Sequence, residues 1–345
     1  QRGVGSAAQA LLRRRTEEAG HRFDPVTAHR MKPAIVVVGS LNMDFVVGVE
    51  HLPAPGETVL GRNFQMFPGG KGANQAVAAA KLGGNSVAVR MIGRVGYDVF
   101  ADHLKASLSA AGVDVSAVHA TKSQATGVAL IWVDRTGQNS IVVASGANGE
   151  LAAADVEAMR SVFRGARLAL FQLETPLDTV AGALELARQE GLETILDPAP
   201  AQTLPAAVLQ RVDVLTPNET EALRLLGKPL ARVSPTEAVA LAEALRRMGP
   251  KTVIIKLGDQ GSLAHDGVSA RHVRSFPVEV KDTTAAGDTF NAGLAVALAE
   301  GAPLEHALRF ASAAAAISVT RLGAQASAPA RREVDAFLHS NQVST

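Results

Sequence analysis

The chain has 345 residues, 47% hydrophobic and 19% charged, with a formal net charge of +1 and no cysteine. Such a composition is globular, and it excludes disulfides, thiolate metal sites and a cysteine nucleophile while agreeing with a reducing, cytoplasmic setting. Charge is uneven: residues 1–33 hold seven Lys or Arg against three Asp or Glu, so the rest carries 27 against 30, without the basic field that nucleic acid requires.

The leader "QRGVGSAAQALLRRRTEEAGHRFDPVTAHRMKP" has no continuous apolar core, and its arginines follow its apolar stretch instead of preceding it. Glu17, Glu18 and Asp24 argue against a transit peptide. Residues 1–33 read as a disordered extension, or as translation from upstream of Met31. No stretch reaches the roughly 20 apolar residues of a membrane span, so no membrane partner is expected.

"AIVVVGS", Ala34–Ser40, is a short β-branched run closing on glycine, the pattern of a buried strand. Similar runs recur at Ser86–Met91, Leu168–Gln172, Thr194–Asp197, Val212–Thr216 and Thr252–Lys256. Helical patterns lie between them at Asn74–Leu82, Phe100–Ala111, Thr175–Gln189, Glu219–Leu226, Pro235–Arg247 and Ala286–Ala299. Strand alternating with helix predicts an α/β fold, its sheet largely parallel and covered on both faces.

Two stretches break that rhythm. Residues 45–67 have strand-like ends around "HLPAPGE", and 127–145 read as a hairpin, two β-rich runs around a polar turn. Together they predict a small antiparallel sheet projecting from the body, either a lid or a plain edge extension.

Three stretches could carry chemistry. In "GSLNMD", Gly39–Asp44, an amide and a carboxylate stand two apart beyond the first strand, where open α/β sheets bind ligands. Asn42 and Asp44 together accept and donate, which suits vicinal hydroxyls, although a polar loop cap would look the same. In "PGGKGANQAVAAAKLG", Pro68–Gly83, glycines at 69, 70 and 72 precede a helix that Asn74 is expected to open. This is no Walker motif, and no GxGxxG follows the first strand, which removes the fingerprint of a dinucleotide oxidoreductase. In "VKDTTAAGDTFNAG", residues 280–293, a turn through Ala285, Ala286 and Gly287 would aim main-chain N–H groups at an anion, with the helix dipole behind them. Asp288 would stand there to take a proton from a hydroxyl, the pairing phosphoryl transfer requires; a simple helix cap is the alternative.

Taken in order and spacing, "GSLNMD", "PGGKGANQA" and "DTTAAGDTFNAG" resemble the ribokinase (PfkB) family of sugar kinases. "FQLE" ending at Glu174, "TPNETEA" around Asn218, "KLGDQG" at 256–261 and "VTRLGAQAS" at 319–327 agree with it. The resemblance implies a ribokinase-like three-layer α/β/α sandwich over residues 34–340, with a mainly parallel central sheet and a small β-sheet lid from about 45–67 and 127–145.

It further implies ATP-dependent phosphorylation of D-ribose at the 5-hydroxyl, with Asp288 as general base and the amides of Ala285, Ala286 and Gly287 as anion hole. Asn42, Met43, Asp44, Gly70, Lys71, Asn74 and Glu174, joined by Asp288, would bind the sugar. Asn218 and Glu221 would influence the Mg²⁺ and phosphate environment, Glu221 through water. Lys256, Leu257, Gly258, Asp259, Gln260 and Gly261 would lie along the nucleotide, joined by Gly287, with Ser312 near adenine. Asp282, Thr284, Ser318, Arg321, Gly323 and Ser327 would hold an activating monovalent cation, usually K⁺, several through carbonyls. Lids in this family often pair, so a homodimer is expected. The competing readings are a kinase for deoxyribose, another sugar or a nucleoside, and a non-catalytic sugar or nucleotide sensor.

Overall fold

The computed structural model describes residues 32–341; the reading of 1–33 as an extension lies outside them except for its last two residues. Among the described residues the core strand is β1 (Ala34–Val38), every residue of which is buried. It pairs in parallel with β4 (Ala88–Val95) on one side and β8 (Leu168–Phe171) on the other. Beyond β4 lies parallel β5 (Val113–Ala120); beyond β8 follow β9 (Glu193–Leu196), β10 (Val214–Leu215) and β11 (Thr252–Lys256), all parallel. The sheet closes on antiparallel β12 (Ser262–His265) and β13 (Ala270–Val273).

Both faces are covered, and the period-two alternation of strand side chains shows how. Ile35 and Val37 pack with α1 (Lys71–Gly83), α2 (Val99–Ala110), α8 (Ala286–Ala299), α9 (Leu304–Ser318) and α10 (Arg331–Ser340). Val36 and Val38 pack with α3 (Ala153–Ala158), α4 (Leu177–Gln189), α5 (Ala206–Leu209), α6 (Glu219–Leu225) and α7 (Pro235–Arg246). The expected α/β/α sandwich is therefore present.

A second sheet orders β3 (Arg62–Gly69), β2 (Asn42–Gly48), β6 (Gly127–Val133) and β7 (Asn139–Ala144). Its pairing is mixed: β2 runs antiparallel to β3 but parallel to β6. Phe45 fixes it to the body by an edge contact with Phe100 on α2, 5.5 Å between ring centroids. Every residue of β7 is exposed, and Phe64, Ile141, Val142 and Val143 stand in solvent. Among the described residues no helix is long and apolar enough to cross a membrane.

Strand order reverses at β1, whose neighbours lead the chain in opposite directions. Ligands of open α/β sheets bind beyond the carboxyl ends of strands at such a reversal. Gly39–Leu41, Glu174, Asp197, Asn218 and Lys256 all sit at or just past the carboxyl ends of β1, β8, β9, β10 and β11.

Candidate active site

Asn42 and Asp44 lie on β2, two apart, so the pleat turns both side chains to one face. Asn42 is buried and its Oδ1 accepts a 2.8 Å bond from Asn148 Nδ2, which fixes its amide. Met43 between them packs wholly within the apolar core. Burial raises the Asp44 carboxyl from 3.8 to about 7, and the charges of Glu174 and Asp288 push the same way, so these three carboxylates share one space.

Helix α1 begins at Lys71, three residues ahead of the expected Asn74, because Gly70 adopts φ 88° and makes the turn itself. A β-carbon there would fall 2.7 Å from the Asn42 nitrogen, so only glycine admits this approach. Glu174 receives the new helix end: its Oε2 accepts from Lys71 N at 3.0 Å and from Ser40 Oγ at 2.5 Å. A carboxylate at a helix N-terminus also complements the dipole. Burial lowers the Lys71 ammonium, but the negative charges of Asp288, Asp197, Glu174 and Glu221 outweigh it and hold its proton firmly.

Asn74 and Gln75, in the first turn and a half of α1, reach across to α8. Asn74 Nδ2 donates to Asp288 Oδ2 at 3.1 Å, and Gln75 Nε2 donates to Oδ1 at 3.0 Å. Ala285 caps α8 in the left-handed conformation, φ 57°, which costs a residue with a β-carbon about 1–2 kcal/mol. The Ala286 N–H turns back to the Thr283 carbonyl at 3.2 Å, and so is not free as the turn reading expected. For the N–H groups of Ala285 and Gly287 no acceptor is found among the described residues. Asp288 is 5% exposed, and burial raises its pKa against the opposing charge of Lys71 and the two amide bonds.

Lys71, Ala285, Ala286, Gly287 and Asp288 line a cavity of about 420 Å³ together with Asn218, Glu221 and Lys256. Asn218 and Glu221 form a capping box at the start of α6, with Asn218 N donating to Glu221 Oε2 at 2.7 Å and Glu221 N to Asn218 Oδ1 at 2.8 Å. Burial raises the Glu221 carboxyl, partly offset by Lys256.

A second, mainly apolar cavity of about 580 Å³ adjoins the first and shares Lys256, Gly258, Thr283, Ala286 and Gly287 with it. Gly258, Asp259, Gly261 and Ser312 line it, and the buried Ser312 hydroxyl has no partner among the described residues. Leu257 packs in the core, and Gln260 Nε2 is spent on the Val233 carbonyl at 2.9 Å. Together the cavities form an apolar slot opening onto a charged one.

Beside them, Asp282 Oδ1 accepts from Thr284 N at 2.8 Å and Oδ2 from Gly323 N at 2.9 Å. Burial would raise this carboxyl, but those bonds prevail and lower it. The hydroxyls of Ser318 and Ser327 donate to the carbonyls of Ala315 and Ala324, both at 2.8 Å. Arg321 pairs with Glu333 at 2.6 Å, which leaves only its carbonyl to a cation. Among the described residues no cluster of three or more His, Asp or Glu could cage a metal.

Two residues escape the motif reading. Gln75 Nε2 also donates to Asp197 Oδ2 at 3.1 Å, and Asp197 Oδ1 pairs with Lys256 Nζ at 2.9 Å. Asp197 was legible only as a charged residue closing the run "TILD", and Gln75 as a polar residue on an alanine-rich helix. Removing one partner from a pair this buried costs about 3–5 kcal/mol.

Residues 32–331 match the model of the pfkB family carbohydrate kinases. The chain is 42% identical to a ribokinase of Haemophilus influenzae over 89% of its own length and 99% of that protein's. It is 35% identical to a deoxyribokinase of Salmonella typhi, with the same coverage of each. Among solved structures, Arabidopsis thaliana ribokinase complexed with ribose and ATP superposes with a TM-score of 0.82 at 35% identity, over 89% of this chain and 99% of that one.

Proposed function

This chain belongs to the pfkB family of carbohydrate kinases, and from that premise we propose that it transfers the γ-phosphoryl group of ATP to the 5-hydroxyl of D-ribose, giving ribose 5-phosphate and ADP. The observation that carries the reading is the Asp288 carboxylate, which lines one cavity with the unengaged N–H groups of Ala285 and Gly287. A hydroxyl brought there loses its proton to Asp288 as it attacks, while the amides meet the charge gathering on the transferred group. Lys71 adds a fixed positive charge beside both.

The sugar lies between β2 and the start of α1. Asn42, Asp44, Gly70, Lys71, Asn74 and Glu174 face its hydroxyls, with Met43 contributing apolar backing from the core. The adenine side of ATP enters the apolar cavity past Gly258, Asp259, Gly261 and Ser312, with the 256–261 turn along the nucleotide. Asn218 and Glu221 lie at the polar end of the cavity, where they would face a Mg²⁺ carried on the phosphates, Glu221 through water, and the ion would supply neutralising charge. With no carboxylate cage among the described residues, such phosphate- and water-borne Mg²⁺ fits the donor set.

The Asp282 group fits a large monovalent cation such as K⁺: one carboxylate held in its charged form, hydroxyl and carbonyl oxygens, and no second acid. Asp282, Thr284, Ser318, Arg321, Gly323 and Ser327 would hold it, and the 282–284 segment leads directly into the anion-hole turn. The exposed apolar strands of the small sheet support pairing of two copies through the lid. Domain organisation follows: one kinase domain over 34–340, the lid at 45–67 and 127–145, acting in the cytoplasm.

A deoxyribose substrate is the second reading, favoured by the 35% identity to a deoxyribokinase. ADP release measured with ribose, 2-deoxyribose, fructose and adenosine tests both. Ribose should give the highest kcat/KM; a preference for 2-deoxyribose would shift the assignment, and no ADP release with any of them would end it.

A further inference from the structure

The Asp197–Lys256 pair is more deeply buried than any other ion pair among the described residues, its side chains 3% and 13% exposed. Burying two charges is costly unless something beyond their mutual attraction is gained. A lysine serving only as counter-ion would be enclosed between packed strands and helices. Lys256 instead lines both cavities at their junction.

Its orientation points the same way. A β-carbon added to Gly287 would lie 3.4 Å from Lys256 Nζ, so the ammonium faces the anion-hole turn. An ammonium has three N–H donors. One is spent on Asp197, and no further acceptor for Nζ is found among the described residues.

Behind the pair stands a fixed amide. Gln172 Nε2 donates to Gln75 Oε1 at 2.7 Å, which sets the Gln75 amide with its NH₂ toward the two acids. Its two protons then go to Asp288 at 3.0 Å and Asp197 at 3.1 Å. Proton acceptor and ammonium are thereby joined through the side chains of Gln75 and Asp197 into one unit drawn from α1, α8, the end of β9 and the end of β11.

We propose that Lys256 is a catalytic residue that contacts the polyphosphate of the nucleotide at the anion hole, and that Asp197 and Gln75 are positioning residues locking it to the base. The ammonium supplies positive charge where the phosphoryl group passes, preorganised and requiring no rearrangement during the reaction. For the reaction itself this rests on the phosphotransfer reading, but the contact with polyphosphate can be tested without turnover.

The experiment compares wild type, Lys256→Met and the double variant Asp197→Asn/Lys256→Met. Lys256→Met alone strands a buried carboxylate; the double variant removes both charges at nearly constant volume, and so keeps the fold. Calorimetric titration uses adenosine and a non-hydrolysable ATP analogue. The double variant should bind the analogue roughly tenfold more weakly, as expected for loss of a charged hydrogen bond, and adenosine within about twofold of wild type. Its kcat for ribose should fall roughly a hundredfold. Wild-type affinity for the analogue in the double variant would reduce Lys256 to the counter-ion of Asp197 and overturn the proposal. A wild-type enzyme inactive on every sugar would sink the kinase reading alone, since the adenosine and analogue titrations decide the lysine separately.

Discussion

The carboxylate of Asp44 occupies the space that a β-carbon on Gly69 would need: such a carbon would lie 2.1 Å from Asp44 Oδ2. The two residues face each other across adjacent strands of the small sheet, where Asp44 is paired with Phe67 and Asn42 with Gly69. Glycine at 69 is thus the condition for an acid at 44 to turn toward the site.

Gly69→Ala should therefore displace the Asp44 carboxylate and weaken ribose binding roughly tenfold, the loss of one charge-assisted hydrogen bond. Nucleotide binding should be unchanged, because both cavities that would receive ATP are walled by other segments. Calorimetry with each ligand checks this; equal losses for sugar and nucleotide would contradict the division.

Asp44 also leaves a mark on stability. Its carboxyl is raised from 3.8 to about 7, chiefly by burial and then by Glu174 and Asp288. Between those values the folded protein holds a proton that the unfolded chain has released, so stability falls as pH rises through that window. Asp44→Asn should remove the penalty, making the sugar-free protein more stable than wild type by on the order of 2 kcal/mol at about pH 8, with the gap closing toward about pH 5. Denaturant unfolding at the two pH values measures it, and a gap independent of pH would refute the burial argument.

The cation site makes a separate claim. Asp282 gathers the amides of Thr284 and Gly323 just before the anion-hole turn. Added K⁺ should raise kcat several-fold in wild type and have no effect in Asp282→Ala, with Na⁺ as the ionic-strength control. Turnover indifferent to K⁺ would remove the site from the mechanism.

How far the sequence spoke depended on whether a feature was local. Thr252–Lys256 and Ala286–Ala299 are found with the expected limits, since an uninterrupted apolar run and a long apolar helix need no tertiary context. Strand β5 escaped notice because, at the sheet edge, "VDVSAVHA" alternates with solvent and carries polar residues. Antiparallel β12 and β13 are four residues each and half polar. The start of α1 was misplaced because "GGKG" has poor helix propensity, and a glycine turn together with the Glu174 carboxylate overrode it. At the site, residues inside motifs could be named in advance. Gln75 and Asp197 could not, since their meaning arises only when α1, β9 and α8 converge.

The direct test of the account is the turnover of Asp288→Asn. The amide retains the shape, still accepts from Gln75 through its oxygen and can donate its NH₂ to Asn74 once that amide turns its oxygen inward, but it cannot accept a proton. With ribose and ATP saturating, kcat should fall roughly a hundredfold or more, while calorimetry shows both ligands bound nearly as in wild type. A variant that phosphorylates ribose at close to the wild-type rate would contradict the assignment of Asp288 as the base.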